Sequence, residues 1–410
     1  MLHENLNLVS LQNNRRSAWH FATLQFLSFA ALSLLGTYGN VYFKRRGLSD
    51  IQLGILLAVP SVVSIVGPMI WGITSDLLQR RKAIIITMHL VSAILFPLFW
   101  FLSSQTFILL CIIMGLFSFF FDPSIPLIDT WTLDYLSNKG GDYGRIRCWG
   151  SVGYIVPLLF SILVFSPSAG GTAEVLLPMF FGVSGFRLLA AIQASYMTDI
   201  SPLKREKMDW IALKIYLSPF AITFFFCVFV RSFVFSPFFA FFNVYLDTLG
   251  ITDNMKGSPW IVAVGAEVIM LAFSKKLIQR FGAVTAIICA YVAMAIRFFV
   301  LATAPSWEII LVVQLLHALT FGAYHPAAIQ IINQITPESF RATGQTLVSV
   351  IGGIGRILGN LAGGFWASYY GYAALYKYLG LSVSAATIIL VIAFANCKKP
   401  ELRCDQHYKD

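Results

Sequence analysis

The most constraining feature of this chain is a repeat of its own sequence at an offset of 203 residues. Asn40-Val41-Tyr42-Phe43 recurs as Asn243-Val244-Tyr245-Leu246, and Gly47-Leu48-Ser49-Asp50 recurs as Gly250-Ile251-Thr252-Asp253. Asp122-Pro123 lines up with His325-Pro326 at the same offset, and Leu77-Leu78-Gln79-Arg80 matches Leu277-Ile278-Gln279-Arg280 with a gap of three residues. This order of matches indicates two half-chains built on one structural plan.

Composition places both halves in a membrane. The chain is 58% hydrophobic and 12% charged, whereas soluble domains are about 25% charged. Windows of about 20 apolar residues, the length that crosses a bilayer, predict helices near 20–42, 51–73, 83–103, 106–131, 147–166 and 173–196, then 217–242, 257–275, 283–304, 308–333, 343–366 and 372–395. The sequence therefore predicts an all-α membrane protein of 12 transmembrane helices in two pseudo-symmetric six-helix bundles. We place the bundles at residues 15–200 and 217–397, joined by a cytoplasmic linker at 201–216. Duplicated membrane bundles are typical of alternating-access transporters.

The distribution of basic residues predicts the orientation of the helices. If both termini are cytoplasmic, the cytoplasmic segments hold 20 Lys and Arg, and the outer segments hold only Lys44, Arg45, Arg46, Lys256 and Lys377. Basic loops stay on the cytoplasmic side, which favours this orientation. The cluster at 44–46 departs from the rule. The net charge of +10 therefore reports topology, and we expect no nucleic-acid partner.

Sequence motifs of enzymes and metal sites are not found. The chain has no P-loop, and its six cysteines have no metal-ligand spacing. Gly353-x-Gly355-x-x-x-Gly359 lies in an apolar helix with no preceding strand, so it does not predict a dinucleotide site. Gly355, Gly359 and Gly363 instead have the spacing that lets another helix approach closely. We expect a protein that is not an enzyme and uses no metal or cofactor.

Ionisable groups at helix centres cost about 2.5–3.5 kcal/mol on insertion scales, so they usually face a cavity and carry function. Asp122 and Asp129 are seven residues apart and share a face of one predicted helix, and Arg147 opens the next helix with Tyr154 two turns deeper. Further groups within predicted helices are Arg187, Arg231, Glu267, Arg297, His317, His325 and Arg356, with polar Asn40, Gln314 and Asn360. The alternative is that these groups pair with each other and hold helices together. The positive surplus favours an anionic or polyhydroxylated substrate.

Gly72-x-x-x-Asp76-x-x-x-Arg80-Arg81-Lys82 resembles the signature loop of the major facilitator superfamily. The resemblance implies that this loop gates the cytoplasmic side, with Asp76 and Arg80 locking it when closed and Gly72 and Arg81 belonging to the same element. In the second-half copy, Lys276 stands where Asp76 would be, so an equivalent lock there is in doubt.

Longer motifs resemble one branch of that superfamily, which contains phenylpropionate permeases and, more distantly, lactose permease. They are Pro126-x-x-Asp129, Asp142-Tyr143-Gly144-Arg145-Ile146-Arg147-Cys148-Trp149-Gly150-Ser151-Val152-Gly153, Ala266-Glu267-Val268-Ile269, Arg297, and Gln314-Leu315-Leu316-His317 through His325. The resemblance implies that Asp129 and Arg147 form the first-half substrate pair, that Tyr154 stacks on the substrate, that Glu267 and His317 are polar ligands, and that Arg297 assists proton release. We add Asp122, Gln314 and Asn40 as candidate substrate ligands and His325 as a candidate proton-coupling group.

One position departs from that branch. Lactose permease carries its proton-binding glutamate one turn after the histidine that matches His317, and here that position is Thr320. If protons are coupled, another group must carry them, and Glu267 is the first candidate. Burial favours the protonated form of a carboxyl group, and an approaching Arg297 would favour proton release.

The sequence therefore predicts a proton-coupled symporter of a small organic solute, namely an aromatic carboxylate, a sugar or a nucleoside. A uniporter or exporter of the same type and a transport-inactive sensor are the alternatives. We expect a monomer in the bacterial inner membrane, whose partners are the solute, protons and the lipid bilayer.

Overall fold

The computed structural model describes residues 2–165, 167, 170–199, 215–337 and 340–396, with side chains described from residue 18 onward. The regular structure of these residues is entirely helical. The predicted linker at 201–216 lies almost wholly outside the described residues.

The helices follow one another along the chain in two groups. The first half contains α1 (Leu2–Arg45), α2 (Asp50–Leu78), α3 (Arg81–Leu95), α4 (Phe107–Phe121), α5 (Ser124–Lys139), α6 (Tyr143–Val164) and α7 (Leu177–Ser195). The second half contains α8 (Pro219–Thr248), α9 (Ser258–Phe281), α10 (Ala283–Ala302), α11 (Trp307–Gln314), a π-helix (Ala318–Ala323), α12 (Tyr324–Ile335) and α13 (Arg341–Asn396).

Ten stretches of the described residues are long and apolar enough to cross a membrane. α4 with α5 forms one such stretch, and α11 with α12 forms another. α13 contains a break at Gly371, whose φ of 78° is a left-handed conformation that glycine adopts without strain. When α13 is divided there and α9 is added, the described helices are consistent with the twelve spans that the sequence predicts. The chain is an integral, multi-pass membrane protein.

The described chain forms two compact units. Unit 1 comprises Met1–Lys204, Pro237–Gly265 and Asn360–Tyr372, and unit 2 comprises Arg205–Ser236, Ala266–Gly359 and Ala373–Asp410. Unit 1 therefore includes one end of α8, the start of α9 and the middle of α13. The division into bundles at 15–200 and 217–397 remains a prediction.

Proline interrupts the predicted helix that carries Asp122 and Asp129. α4 ends at Phe121 and α5 begins at Ser124, on either side of Asp122-Pro123. Proline has no N–H to donate, which loosens the preceding turn. The Ser124 hydroxyl donates to the Phe121 carbonyl at 2.6 Å and stabilises the break. In the second half, Pro326 follows the π-helix rather than a gap between two helices.

Glycines bring helices into backbone contact within each unit. In unit 1, a Cβ atom built on Gly153 of α6 would lie 2.2 Å from the Phe26 carbonyl oxygen of α1. In unit 2, Cβ atoms on Gly355 and Gly359 of α13 would lie 2.6 and 2.1 Å from carbonyl oxygens of α8. The prediction of a close helix approach at these α13 glycines is confirmed.

We expect Gly153→Ala to lower the stability of the protein. The added methyl group must displace the backbone of α1 rather than a flexible side chain, and overpacking of this kind costs about 1–3 kcal/mol. Thermal unfolding of the purified protein in detergent measures the loss as a lower melting temperature.

Gly185→Ala is the matched control, because a Cβ atom at this helical position of α7 meets nothing within 4 Å. Alanine has the higher helix propensity, so this control should melt at or above the wild-type temperature. Equal melting temperatures for Gly153→Ala and the wild type would contradict the packing argument.

Candidate functional site

A buried ionic cluster, here called the outer cluster, consists of Arg45, Asp247, Asp253 and Lys256. It lies within unit 1, at the end of the helices predicted to face outward. An Arg45 Nη2 atom lies 2.7 Å from Asp247 and 2.8 Å from Asp253, and Lys256 Nζ lies 2.8 and 2.6 Å from the same two carboxylates. The Asp253 and Lys256 side chains are fully buried. The cluster contains two cations and two carboxylates, so its charges balance. These ion pairs connect α1 to the end of α8 and to the segment that follows it.

The neighbouring cations are also engaged. Lys44 pairs with Asp50 at 2.6 Å, and the Tyr372 hydroxyl donates to the same aspartate at 2.6 Å. Arg46 donates to the backbone carbonyls of Leu102 and Trp100. The basic cluster at 44–46, which departs from the charge rule for orientation, is therefore explained by ionic and hydrogen-bond partners.

Asn40 lies one turn before this cluster on α1. Its amide donates to the carbonyl oxygens of Phe239 at 3.3 Å and Ala240 at 2.9 Å, within unit 1. In this structure Asn40 joins two helices, and its substrate-binding role remains a prediction.

The loop between α2 and α3 carries the predicted gating residues. Asp76 and Arg80 are exposed, and the structure gives their side chains no ion-pair partner among the described residues. A Cβ atom on Gly72 would meet nothing within 4 Å. Arg81 differs, because it is buried and forms a salt bridge with Asp134 of α5. The role of Asp76 and Arg80 in locking the closed cytoplasmic side remains a prediction.

The first-half polar cluster consists of Gln25, Phe29, Asp129, Tyr143 and Arg147. Gln25 donates to Asp129 Oδ1 at 2.6 Å, and Arg147 Nε lies 3.8 Å from the same oxygen. The Tyr143 hydroxyl hydrogen-bonds with both Asp129 and Arg147. The Arg147 guanidinium lies 4.3 Å from the centre of the Phe29 ring. A long ion pair with both side chains partly exposed leaves these groups able to bind a polar solute.

Asp122 lies near Arg187 of α7, and Tyr154 lies near Gly36 of α1. Asp122 is close enough to buried Arg187 to interact with it electrostatically. Arg187 also donates to the Ser92 hydroxyl at 2.7 Å and the Ser124 hydroxyl at 3.0 Å. The Tyr154 hydroxyl lies 3.9 Å from a Cβ atom built on Gly36 of α1. The interactions of Arg187 match the alternative that buried charges hold helices together.

The second-half polar cluster is a chain of contacts through one histidine in unit 2. His317 Nε2 lies 3.4 Å from Glu267 Oε2, and an Arg297 Nη1 atom lies 3.2 Å from His317 Nδ1. Arg297 also donates to the Gln314 side-chain oxygen. Guanidinium can only donate, so Nδ1 must accept, and the neutral ring then carries its proton on Nε2. Arg297 thereby directs the His317 N–H towards Glu267.

His317 immediately precedes the π-helix, an element that occurs mostly as single turns and often at functional sites. Phe321 of this element stacks with His317 and His325, with ring centres 5.5 and 5.7 Å apart. His325 is exposed, and the buried Thr320 occupies the middle of the π-helix. The structure thus groups Gln314, His317 and Thr320 at the irregular part of this span.

Arg231 is one of several arginines in the predicted helices, and the sequence alone does not assign it to a site. Its guanidinium lies 4.2 Å from the ring centre of Tyr324, 4.8 Å from that of Phe235 and 5.4 Å from that of Phe321. Gln25 and Tyr143 were likewise not assigned. The one sequence signal for Arg231 is an aromatic residue four positions later on the same helical face.

No group of three or more potential metal ligands occurs among the residues that the structure describes. The two polar clusters present guanidinium, carboxylate, amide and imidazole groups, which all form hydrogen bonds, and the carboxylates and the imidazole can also exchange protons.

Comparison with known proteins identifies the family. The model of the MFS_1 like family matches residues 18–378. The chain belongs to this family. It is 24% identical to the maltose permease of Geobacillus stearothermophilus, over 91% of this chain and 93% of the permease. It is also 24% identical to the "Probable 3-phenylpropionic acid transporter" of Escherichia coli (strain K12), over 75% of this chain and 80% of that protein.

Solved structures show the same fold. The crystal structure of the nucleoside transporter NupG (D323A mutant) matches with a TM-score of 0.81 and 16% identity, covering 92% of this chain and 99% of that chain. The protein is therefore a membrane transporter of the major facilitator type and not an enzyme. The predicted resemblance to this superfamily, including the phenylpropionate branch, is confirmed.

We expect Arg147→Ala to abolish solute binding while the protein still folds. The substitution removes the cation of the first-half polar cluster but leaves Gln25 and Tyr143 to hydrogen-bond with Asp129. Binding is measured by the thermal shift that a panel of aromatic acids, sugars and nucleosides produces in the purified protein.

Arg145→Ala is the matched control, because Arg145 is two residues away on α6 and is exposed. It should bind like the wild type. Unchanged affinity in a folded Arg147→Ala variant would refute the role of Arg147.

Proposed function

We propose that the protein is a proton-coupled symporter that moves a small organic solute by alternating access, with Glu267 as the proton carrier. The first-half polar cluster binds the solute, and both termini face the cytoplasm of a bacterial inner membrane. The observation that carries the proposal is the chain of contacts from Glu267 through His317 to Arg297. A carboxylate next to a neutral imidazole can gain and lose a proton without leaving a second charge uncompensated.

The geometry suggests how protonation alters the contact. His317 offers its Nε2 proton to Glu267, and a charged acceptor makes a hydrogen bond roughly twice as strong as a neutral one. A proton on Glu267 removes that charge and weakens the contact between α9 and the π-helix span. Since Arg297 occupies the other ring nitrogen, His317 cannot compensate by becoming an acceptor at Nε2 unless the Arg297 contact also changes. Protonation therefore favours a different arrangement of these helices, which is the requirement for coupling.

The position of Thr320 supports the choice of Glu267. The Thr320 hydroxyl neither gains nor loses a proton at physiological pH, and the Thr320 side chain is fully buried. Within α8 to α12, the other described acidic residues are Asp247, Asp253 and Glu308. Asp247 and Asp253 belong to the outer cluster, and Glu308 is exposed at the start of α11.

Alternating access requires contacts at one end of the helices to break in each cycle. The outer cluster supplies such contacts, because Arg45 at the end of α1 binds carboxylates at the end of α8 and in the segment after it. In the proposed cycle, the outer cluster separates when the solute site opens to the outside. The exposure of Asp76 and Arg80 is compatible with a cytoplasmic lock that forms in another state.

We expect Glu267→Gln to retain counterflow and lose uphill uptake driven by a pH gradient. Glutamine keeps the size and an acceptor oxygen for His317, but it cannot exchange a proton. Proteoliposomes loaded with unlabelled solute measure counterflow, and an imposed pH gradient measures accumulation. If Glu267→Gln still concentrates solute, Glu267 is not the carrier, and Asp122 or His325 becomes the better candidate.

Glu308→Gln is the matched control and should behave like the wild type in both assays. A purely structural role for Glu267 makes a different prediction, because losing the charged acceptor of the His317 N–H costs about 1.5–3 kcal/mol. A strongly lowered melting temperature together with loss of counterflow in Glu267→Gln would therefore favour that structural role.

We expect Arg45→Gln to open the outer end more often. Without Arg45, Lys256 alone faces the two carboxylates of the outer cluster, and the contact between α1 and α8 loses its charged hydrogen bonds. A cysteine introduced by Asn40→Cys should then react about tenfold or more faster with a membrane-impermeant maleimide added to the outer side, since even one lost charged hydrogen bond costs about 1.5–3 kcal/mol.

The labelling experiment uses a background in which the exposed Cys148 and Cys289 are replaced by serine. Lys44→Gln is the control, because Lys44 pairs with Asp50 at the adjacent helix start and does not contact the outer cluster. Equal labelling rates in Arg45→Gln and the parent would rule out a gating role for the outer cluster.

A further inference from the structure

We propose that Arg231 binds the carboxylate group of the transported solute, which makes small organic carboxylates the substrate class. The inference rests on the proposed transport function and selects among the aromatic acids, sugars and nucleosides that the sequence leaves open. It depends on three observations about Arg231: the rings around it, its missing hydrogen-bond partners, and the charges of unit 2.

Aromatic rings surround the Arg231 guanidinium. Its central carbon lies 4.2 Å from the ring centre of Tyr324, 4.8 Å from that of Phe235 and 5.4 Å from that of Phe321. Cation–π contacts of this kind stabilise the faces of the guanidinium plane but leave the in-plane N–H groups unpaired. The rings fix the orientation of Arg231 without neutralising its charge.

The N–H groups of Arg231 are poorly satisfied. Its single hydrogen bond within the described residues is a long one, from Nη2 to the Thr320 carbonyl at 3.4 Å. Its Nε atom is buried and has no hydrogen-bond partner there. A buried donor left unpaired costs about 1–3 kcal/mol, and more when the group is charged. Arg187, which is structural, donates instead to two hydroxyls and two backbone carbonyls.

Unit 2 offers no carboxylate to Arg231 among its described residues. Glu267 is engaged by His317 at 3.4 Å, and no ion pair is formed by Arg231 within the part of the chain that the structure describes. Arg297 and Arg356 add further positive charge to the same helices. A group from outside the protein that carries one negative charge would relieve this surplus.

The chemistry of the ligand follows from these constraints. A guanidinium whose faces are covered by rings presents its edge, and a carboxylate matches that edge with two parallel N–H···O bonds. An uncharged sugar or nucleoside would bring hydroxyl groups to Arg231 but would leave its charge uncompensated. Phosphate and sulfonate esters share the negative charge but not the planar fork, so they serve as test arms rather than as the proposed class.

The first test needs no variant. Purified wild-type protein is titrated with aromatic and aliphatic carboxylates, beginning with 3-phenylpropionate and benzoate, and with the neutral amide of each. Binding is read from the thermal shift. We expect at least one carboxylate to bind about tenfold or more tightly than its amide, the ratio for loss of one charged hydrogen bond. Equal affinity for acid and amide overturns the inference, as does binding of only phosphate esters, sulfonates, sugars or nucleosides. A protein that binds no carboxylate overturns it as well.

The second test uses variants of Arg231. Arg231→Gln should reduce the affinity for the carboxylate about tenfold or more and remove the preference over the amide, while Arg231→Lys, which keeps the charge but not the fork, should retain part of that preference. Arg280→Gln is the matched control, because Arg280 also lies over a ring, that of Phe281, but is exposed at the end of α9. It should bind like the wild type. Wild-type preference in a folded Arg231→Gln variant would overturn the assignment.

Failure of the inference and failure of the proposed function are distinguishable. Arg231-dependent binding without counterflow in proteoliposomes would refute transport and leave the binding site in place. Counterflow of neutral solutes, unaffected by Arg231→Gln, would leave transport in place and refute the carboxylate site.

Discussion

A charged side chain among apolar helices costs free energy, so each interior arginine of this transporter needs acceptors or counter-charges around it. Arg187 meets that cost with hydroxyl and carbonyl acceptors and with a nearby carboxylate, and it thereby fixes the helices of the first half. Arg297 meets it through Gln314 and His317. Arg231 is covered by rings, and its one hydrogen bond in the described structure is the long one to the Thr320 carbonyl. The way each arginine is satisfied therefore separates structural groups from groups available to a ligand.

The duplicated sequence uses the same backbone positions with different charges. Lys44 pairs with Asp50 in the first half, and the residues 203 positions later are Asp247 and Asp253. Exchange of a lysine for an aspartate turns a neutral pair into two carboxylates, which two cations must then neutralise. Lys256 supplies one and Arg45, from the first half of the chain, supplies the other. The outer cluster thus arises because the two copies have diverged: Asp247 stands where the first copy has Lys44, Lys256 where it has Leu53, and Arg45 has Thr248 as its counterpart.

The all-helical fold and the approximate places of its helices could be predicted because bilayer thickness fixes the length of each apolar segment. The partners of individual side chains could not be predicted. The sequence shows that Glu267 and Arg297 are polar residues in neighbouring helices, but it does not show which side chain lies between them. His317 proves to stand between these two residues. Asn40 shares the repeat with Asn243, yet its own partners, the backbone carbonyls of Phe239 and Ala240, could not be read from that match. The π-helix has no sequence signature, since the insertion of one residue into a turn depends on tertiary packing.

In the proposed mechanism, the π-helix connects the proton carrier to the solute-binding arginine. His317 at its start faces Glu267, and the Thr320 carbonyl within it accepts the long hydrogen bond from Arg231. Gly322 packs against the backbone carbonyl of Glu267, because a Cβ atom there would lie 3.1 Å from that oxygen. The π-helix segment therefore contacts Glu267, the proposed proton carrier, and also Arg231, the residue proposed to bind the carboxylate of the solute. His317 and Thr320 are only three residues apart. A shift of His317 that follows protonation of Glu267 would therefore also move the Thr320 carbonyl, which accepts the hydrogen bond from Arg231.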